Sequence, residues 1–266
     1  MMLNEDTLAD EFDAILNYRV THAGLVLAGE AYAHTPVRFA SDYLYSDTAT
    51  GFGSIGYLTI AFKVRFSTST AASQNIFVLN DSINGQTLIV RRTASSGNLT
   101  VIFKDADVPS GLAITTIPAA FETSGWTTSY TVHIAISKDG ASALKVWVNE
   151  ASVFDNVWPG GFSVESLNFS AADIVRIGAS SANGNLLNNA DMSFIYVKMG
   201  NTSASYLTDT TLFYDSGDVD LGADGTLSGA PAPEFFYTGE AAAWNSGVNL
   251  GTSIDLTMSG TVDPVP

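Results

Sequence analysis

Apolar residues recur at every second position in one segment of this chain after another. In YLTIAFKVRF, 57–66, Leu58, Ile60, Phe62, Val64 and Phe66 fall on one side, and Thr59, Ala61, Lys63 and Arg65 on the other. The stretch YTVHIAISKDGASALKVWVN, 130–149, does this twice. Tyr130, Val132, Ile134 and Ile136 share a face, Leu144, Val146 and Val148 share another, and Lys138-Asp139-Gly140 supplies a turn between them. NIFVLN, 75–80, runs into Asn84-Gly85, a hairpin signal, and LIVRR, 88–92, with LTVIF, 99–103, reads as a second hairpin. Shorter strands are predicted near 173–179, 191–199, 211–214, 234–237 and 253–258. A two-residue period with one apolar side is the pattern of antiparallel strands that bury one face against a second sheet.

Only residues 4–18 have the helical period. Leu8, Phe12, Ile15 and Leu16 lie on one face, Thr7 and Asp10 resemble a capping box with Asp in the Glu position, and Arg19 stands near the C-terminal end. Two readings stay open for this helix: a solvated element packed on the domain, or an arm that docks on a partner through those four apolar residues. The expected organisation is an N-terminal arm over 1–30, a sandwich over 31–230 and a C-terminal β extension over 231–266.

Composition narrows the setting. The 266 residues hold 46% hydrophobic residues and only 14% charged ones, so the polar surface must come from Ser, Thr, Asn and Gly. A net charge of −16 repels phosphate backbones and anionic lipid, which argues against nucleic-acid and membrane partners. There are no cysteines, hence no disulfide and no thiol chemistry. The N-terminus has neither a basic leader nor an apolar stretch of signal length, and no window approaches the ~18 apolar residues of a membrane span.

Several segments, in order, resemble laminin-G-like and concanavalin-A-like sandwich domains. RFASDYLY, 38–45, resembles a first strand, YLTIAFKVRF a fully extended second strand, and WTTSYTVHIAISKDG followed by LKVWVNEASV the aromatic strand, turn and Val-Asn strand of the central segment. DIVRIGASSANGNLLNNADMSFIYVKMG, 173–200, resembles the Ile-Gly run, the Gly/Asn loop and the last strand, although Asn189-Ala190-Asp191 stands where the family has a Gly. The likeness covers roughly residues 35–215. It implies an all-β antiparallel sandwich of jelly-roll type, and it leaves a place for calcium at the rim. The C-terminal EFFYTGEAAAWNSGVNLGTSIDLTMSGTV is similar to appendages of such sandwiches in bacteriophage virion proteins.

Catalytic arrangements are missing. Glycoside hydrolysis needs two carboxylates about 5 to 9.5 Å apart, and the strand bodies at 57–66, 98–103 and 130–149 contain no acid. Asp105/Asp107 and Asp218/Asp220 lie in turn-like text and read as solvated turn carboxylates. Asp215, Asp218, Asp220 and Asp224 lack calcium-loop spacing. GFGSIG, 51–56, matches a dinucleotide pattern but precedes a strand instead of following one. His22, His34 and His133 are too far apart in sequence for a metal site, and His133 reads as an outward or interfacial sheet residue. The candidate sugar contacts are Trp158 with Asp155 and Asn156, and Asn183 with Asn185, since sugars take flat aromatic faces beside amides and carboxylates. Trp126 and Trp244 also lie near turn text, and Trp147 faces the opposite side of its strand from Val146 and Val148.

The expectation joining these readings is a non-enzymatic virion structural protein. It would be a head spike, decoration or tail-fibre subunit made in the host cytoplasm, docked on other virion proteins through its N-terminal arm and contacting host surface glycan, with homo-oligomerisation open. A free bacterial carbohydrate-binding or adhesion module is the alternative, and a polysaccharide hydrolase or lyase the third reading. No cofactor is expected beyond calcium.

Overall fold

The two-residue rhythm builds two antiparallel sheets. The computed structural model describes residues 34–47, 52, 54–66, 72–83, 85–94, 96–105, 112–118, 120–122, 127–137, 144–156, 167–169, 174–179, 184–200 and 208–265, and the residues from His34 onward form one unit. Leu8, Phe12, Ile15 and Leu16, with the expected helix, lie outside the described residues.

The strands are β1 (Val37–Ala40), β2 (Tyr43–Ser46), β3 (Ser54–Ile55), β4 (Tyr57–Phe66), β5 (Gln74–Asp81), β6 (Gln86–Arg92), β7 (Leu99–Asp105), β8 (Leu112–Ile117), β9 (Tyr130–Ser137), β10 (Leu144–Val148), β11 (Ala151–Asn156), β12 (Leu167–Asn168), β13 (Ile174–Ile177), β14 (Asn188–Gly200), β15 (Phe235–Thr238), β16 (Thr257–Ser259) and β17 (Asp263–Pro264). One sheet runs β11-β10-β9-β4-β14-β1-β17, with β15 added on β14 to make eight strands. The other runs β16-β2-β13-β5-β6-β7-β8. β3 and β12 form a two-stranded pair. The result is an antiparallel β-sandwich of two sheets.

The predicted inward positions are the buried ones. Leu58, Ile60, Phe62, Val64 and Phe66 of β4, Val132, Ile134 and Ile136 of β9, and Leu144, Val146 and Val148 of β10 all join the core between the sheets. Leu79, Leu88, Val90, Val101 and Phe103 meet them from the seven-stranded sheet. At about 25 cal/mol per Å² of apolar area, each Phe or Leu removed from water stabilises by roughly 1.5–3 kcal/mol, so this shared face is what holds the layers together.

The stretch read as a C-terminal extension supplies strands to both sheets: β15 pairs β14, β17 pairs β1, and β16 pairs β2. Between them lies the one α-helix among the described residues, α1 (Ala241–Ser246). Trp244 on this helix is fully buried, 5.6 Å from the Phe39 ring and 5.9 Å from Tyr237, so it is packing and not a surface contact. The helix ends at Gly247 in a left-handed conformation (φ 69°), where any Cβ would fall 2.0 Å from the Leu256 carbonyl oxygen.

Two expectations fail. The strand expected at 211–214 is a 3-10 turn, Thr210–Leu212, because the Asp209 carboxylate accepts the Thr211 N–H at 3.1 Å and caps it. Asp105 is not a solvated turn carboxylate. β7 continues far enough to turn it inward, where it is buried and accepts from Gln86 Nε2 at 2.9 Å.

Candidate functional site: the outer faces of the two sheets

Every strand has a second side, and the two sheets use theirs differently. On the eight-stranded sheet that side is covered. Ala61, Phe194, Tyr196 and Phe236 point away from the main core and meet Phe213, Leu221 and Ala230 in a second hydrophobic cluster, with Leu212 and Val219 against it. Residues 208–230 thus form a third layer over that face. The layer is fastened by polar bonds: Tyr196 Oη donates to the Pro231 carbonyl at 2.6 Å, the Ser216 N–H donates to Glu150 Oε1 at 2.9 Å, and Lys63 pairs with Asp218.

Two histidines sit under this layer. His133 faces outward as the alternation predicts, but it is buried, stacked on Trp147 at 4.8 Å and 23°, and 4.9 Å from the Phe213 ring. Neither ring nitrogen has a hydrogen-bond partner, and burial pushes its pKa down to about 3, opposed by the more distant Asp209 charge. His34 Nε2 accepts the Leu221 N–H at 3.2 Å, so its ring proton is on Nδ1, 2.7 Å from Thr238 Oγ1. Thr238 passes its own proton to the Ser193 carbonyl at 3.1 Å. Burial lowers the His34 pKa, against the nearby Asp220.

Arg38, Lys63, Arg65, Lys145 and Lys198 on this face are all neutralised. Asp191, with a side chain 1% exposed, receives Arg38 Nε at 2.7 Å and Arg65 Nη2 at 2.5 Å. That bond holds the Arg38 pKa above its ordinary value. Lys145 pairs with Asp155 at 3.1 Å and Lys198 with Glu234 at 2.8 Å.

The seven-stranded sheet presents a different outer side. Its cross-strand register puts Thr257, Tyr45, Arg176, Val78, Ile89, Ile102 and Ile114 in one row across the sheet. Val78 and Ile102 belong to neither hydrophobic cluster. Tyr43 stands beside Tyr45, with ring centroids 5.5 Å apart. Flanking rows carry Asn80, Thr87 and Lys104 on one side, and Asn75, Arg91 and Thr100 on the other. Arg176 reaches Asp47 at 2.7 Å. Arg91 and Lys104 form no ion pair among the described residues, and both polar atoms of the Asn75 side chain are buried without a partner. Val78, Ile102, Thr100 and Asn75 are buried, so what this face presents is the half-buried Tyr45, Asn80, Thr87, Ile89 and Arg91 with the exposed Lys104, Ile114 and Thr116, among them two cations without an ion pair among the described residues.

Of the predicted sugar contacts, Asp155, Asn156 and Asn185 are among the described residues. Trp158 and Asn183, like Trp126, lie outside the described residues. Asp155 and Asn156 stand on β11, at the end of the sandwich shared with Leu144, Ile136, Leu58 and Met199. Asn185 is at the other end, at φ 46°, with its carbonyl accepting the Asn75 N–H at 2.8 Å. Nothing in the alternation revealed the third layer or the Arg38–Asp191–Arg65 junction. The outer row could have been found by reading the skipped positions, Ile89 and Arg91 between Leu88, Val90 and Arg92, as deliberately as the buried ones.

Among the described residues no three His, Asp or Glu side chains converge as metal ligands do. Three of the four acids of 215–224 are otherwise engaged: Asp218 on Lys63, and Asp220 and Asp224 on the N–H groups of Gly222 and Thr226. They make no calcium cage.

No family model matches the chain, and no curated protein matches it. Solved structures that it resembles include the CBM40 domain of the Ruminococcus gnavus IT-sialidase bound to alpha2,6 sialyllactose. That pair is 14% identical, with 64% of this chain and 97% of that chain covered and a TM-score of 0.41. Domains LG4-5 of the mouse laminin alpha1 chain are 14% identical, with coverage of 61% and 43% and a TM-score of 0.38. The binding domain of botulinum neurotoxin DC in complex with SialylT is 10% identical, with coverage of 59% and 35% and a TM-score of 0.39. The ligands are those proteins' own.

Proposed function

We propose that this chain is a binding module, not a catalyst, and that it takes acidic glycan on the outer face of the seven-stranded sheet. One observation carries the reading: among the described residues Arg91 and Lys104 form no ion pair on the one outer face that no described layer covers, while Arg38, Lys63, Arg65, Lys145 and Lys198 of the opposite face are paired. A sugar ring finds tyrosine and isoleucine surface for its apolar C–H side and amides for its hydroxyls. A carboxylate or sulfate finds a guanidinium suited to forked hydrogen bonding.

Against catalysis stands the placement of the two inward acids. Asp81 and Asp105 flank Gln86 across β5, β6 and β7, and all three are buried. The Gln86 side chain, bonded to Asp105, fills the space that a scissile bond would need.

The test is titration of the full chain with acidic and neutral oligosaccharides, sialyllactose and uronate oligomers among the former. Acidic ligands are expected to bind, and Arg91→Ala and Lys104→Ala each to weaken binding about tenfold or more, the scale of one charge-assisted hydrogen bond. Equal binding of neutral sugars, or an unchanged double variant, refutes the assignment. Release of reducing ends from any polysaccharide refutes the non-catalytic part.

As to where the module is mounted, we propose a bacteriophage virion, with host glycan as the partner. The support is the resemblance of the C-terminal stretch, which here contributes to both sheets. Mass spectrometry of purified particles decides it: the chain is expected among the particle proteins, and its absence there with recovery on a bacterial surface favours the free adhesion module.

A further inference from the structure

Of the four strands that end the two large sheets' main paths, β11, β17, β16 and β8, three are guarded against pairing and one is not. β17 is two residues long and ends in a proline, and β16 is three residues long. β11 carries a register shift against β10 between Val146 and Trp147, and it has Asp155 in its body. Short length, proline, bulges and charge are the devices that keep an edge from adding a strand. β8, LAITTI, has none of them. It has six residues, no charge and no proline, and its register against β7 runs from Leu99↔Ile117 to Lys104↔Leu112 without a shift. Among the described residues no strand or side chain pairs with its far side. Alternate N–H and C=O groups of an edge strand point outward and seek a ladder.

We infer that β8 is the interface with a second copy of this chain, joined antiparallel about a two-fold axis into one fourteen-stranded sheet. Directly opposed residues of an antiparallel pair lie on one face, so a symmetric ladder can centre on Ile114. Ile114 is 45% exposed, well above its row neighbours Val78 and Ile102, and such a ladder covers it against its own copy. Thr116 then opposes Leu112. Lys104 pairs with Leu112 and Thr100 with Thr116, so Lys104 of one copy shares a row with Thr100 of the other and no two lysines face each other. The row Val78, Ile89, Ile102, Ile114 runs unbroken into its symmetry mate. If the face binds glycan as proposed above, two such faces act as one continuous surface with bivalent gain. The pairing itself does not depend on that reading.

Sedimentation of the full chain gives the mass, expected at twice the 28.0 kDa of one chain. Ile114→Lys is expected to give a folded monomer, since the position is half open to solvent. The chain has no cysteine, so Ile114→Cys introduces a single thiol, and opposed Cα atoms of antiparallel strands lie within disulfide reach. Mild oxidation is expected to cross-link this variant, whereas Val153→Cys on the bulged edge stays uncrosslinked. A wild-type chain that sediments as a monomer at about 100 µM, well above usual dimer constants, overturns the inference. So does a dimer that survives Ile114→Lys and fails to cross-link through residue 114.

Discussion

The outer faces of the two sheets start from the same strand alternation and end differently. On the eight-stranded sheet the outward residues include Ala61, Phe194, Tyr196 and Phe236, enough apolar surface to recruit residues 208–230 as a lid. On the same side Arg38 and Arg65, each about a third exposed, converge on the buried Asp191 carboxylate, which could not be left unmatched. On the seven-stranded sheet the outward row is narrower, its neighbours are Asn, Thr, Arg and Lys, and no described layer covers it. Burial makes structure of the first face throughout, whereas on the second it takes Val78, Ile102 and Thr100 and leaves Lys104, Ile114 and Thr116 exposed.

The hardest blow to this comparison is Phe213→Ala. Phe213 is 1% exposed and seals both His133 and Tyr196 at 4.9 Å. Removing a buried Phe costs about 3–5 kcal/mol, and urea unfolding is expected to show a loss of that size. Ile114→Ala on the open face is expected to cost less than about 1 kcal/mol when the chain is held monomeric. Equal losses at the two sites would mean that the faces are equally structural.

Acid should strip the covered face first. The folded-state pKa values of His133 and His34 lie below the ordinary 6.5, His133 at about 3. The folded state therefore binds fewer protons than the unfolded chain. Their contribution to stability is complete above pH 6.5 and falls as pH drops below it, for His133 through a window reaching down to about 3 with a slope of up to about 1.4 kcal/mol per pH unit. Carboxylates add their own acid loss, so the informative measurement is a difference. Because neither His133 nitrogen has a partner, His133→Phe forfeits no hydrogen bond. That variant is expected to unfold with a shallower pH dependence between pH 6.5 and 4 than the native chain. An unchanged slope would show that His133 is wet in solution.

What the sequence made legible was whatever depended on alternation alone. Leu58 to Phe66 and Val132 to Ile136 were assigned to the core from period two, and they occupy it. His133 and Trp147 were assigned to the other side, and they stack there. Alternation is silent on what lies above that side, because residues 208–230 meet Ala61 and Tyr196 from far along the chain and in no regular element. It is equally silent on a charged residue at an inward position. Arg92 follows Leu88 and Val90 inward, stacks 4.6 Å from the Phe66 ring and donates to Gln74 Oε1 at 3.0 Å, although its type argued for solvent. Asp155 with Asn156, and Asn185, are two separate candidates by chemical type, and the register puts them at opposite ends of the sandwich.

The smallest expected effect is the most pointed for function. Lys198 and Lys104 are both outward lysines, one on each sheet. Lys198 Nζ holds Glu234 Oε1 at 2.8 Å with both side chains about four-fifths covered, and Glu234 Oε2 also accepts the Met199 N–H at 2.5 Å. Lys198→Met removes one member of a half-buried network and should cost about 1 kcal/mol, at the upper end for such pairs. Lys104 has no ion-pair partner among the described residues, so Lys104→Met should change stability by less than about 0.5 kcal/mol. High salt should narrow the first effect and leave the second alone. If Lys104→Met destabilised the chain as much as Lys198→Met, Lys104 would be a structural cation like those of the covered face. The open sheet would then have lost one of the two charges on which recognition of an acidic ligand rests.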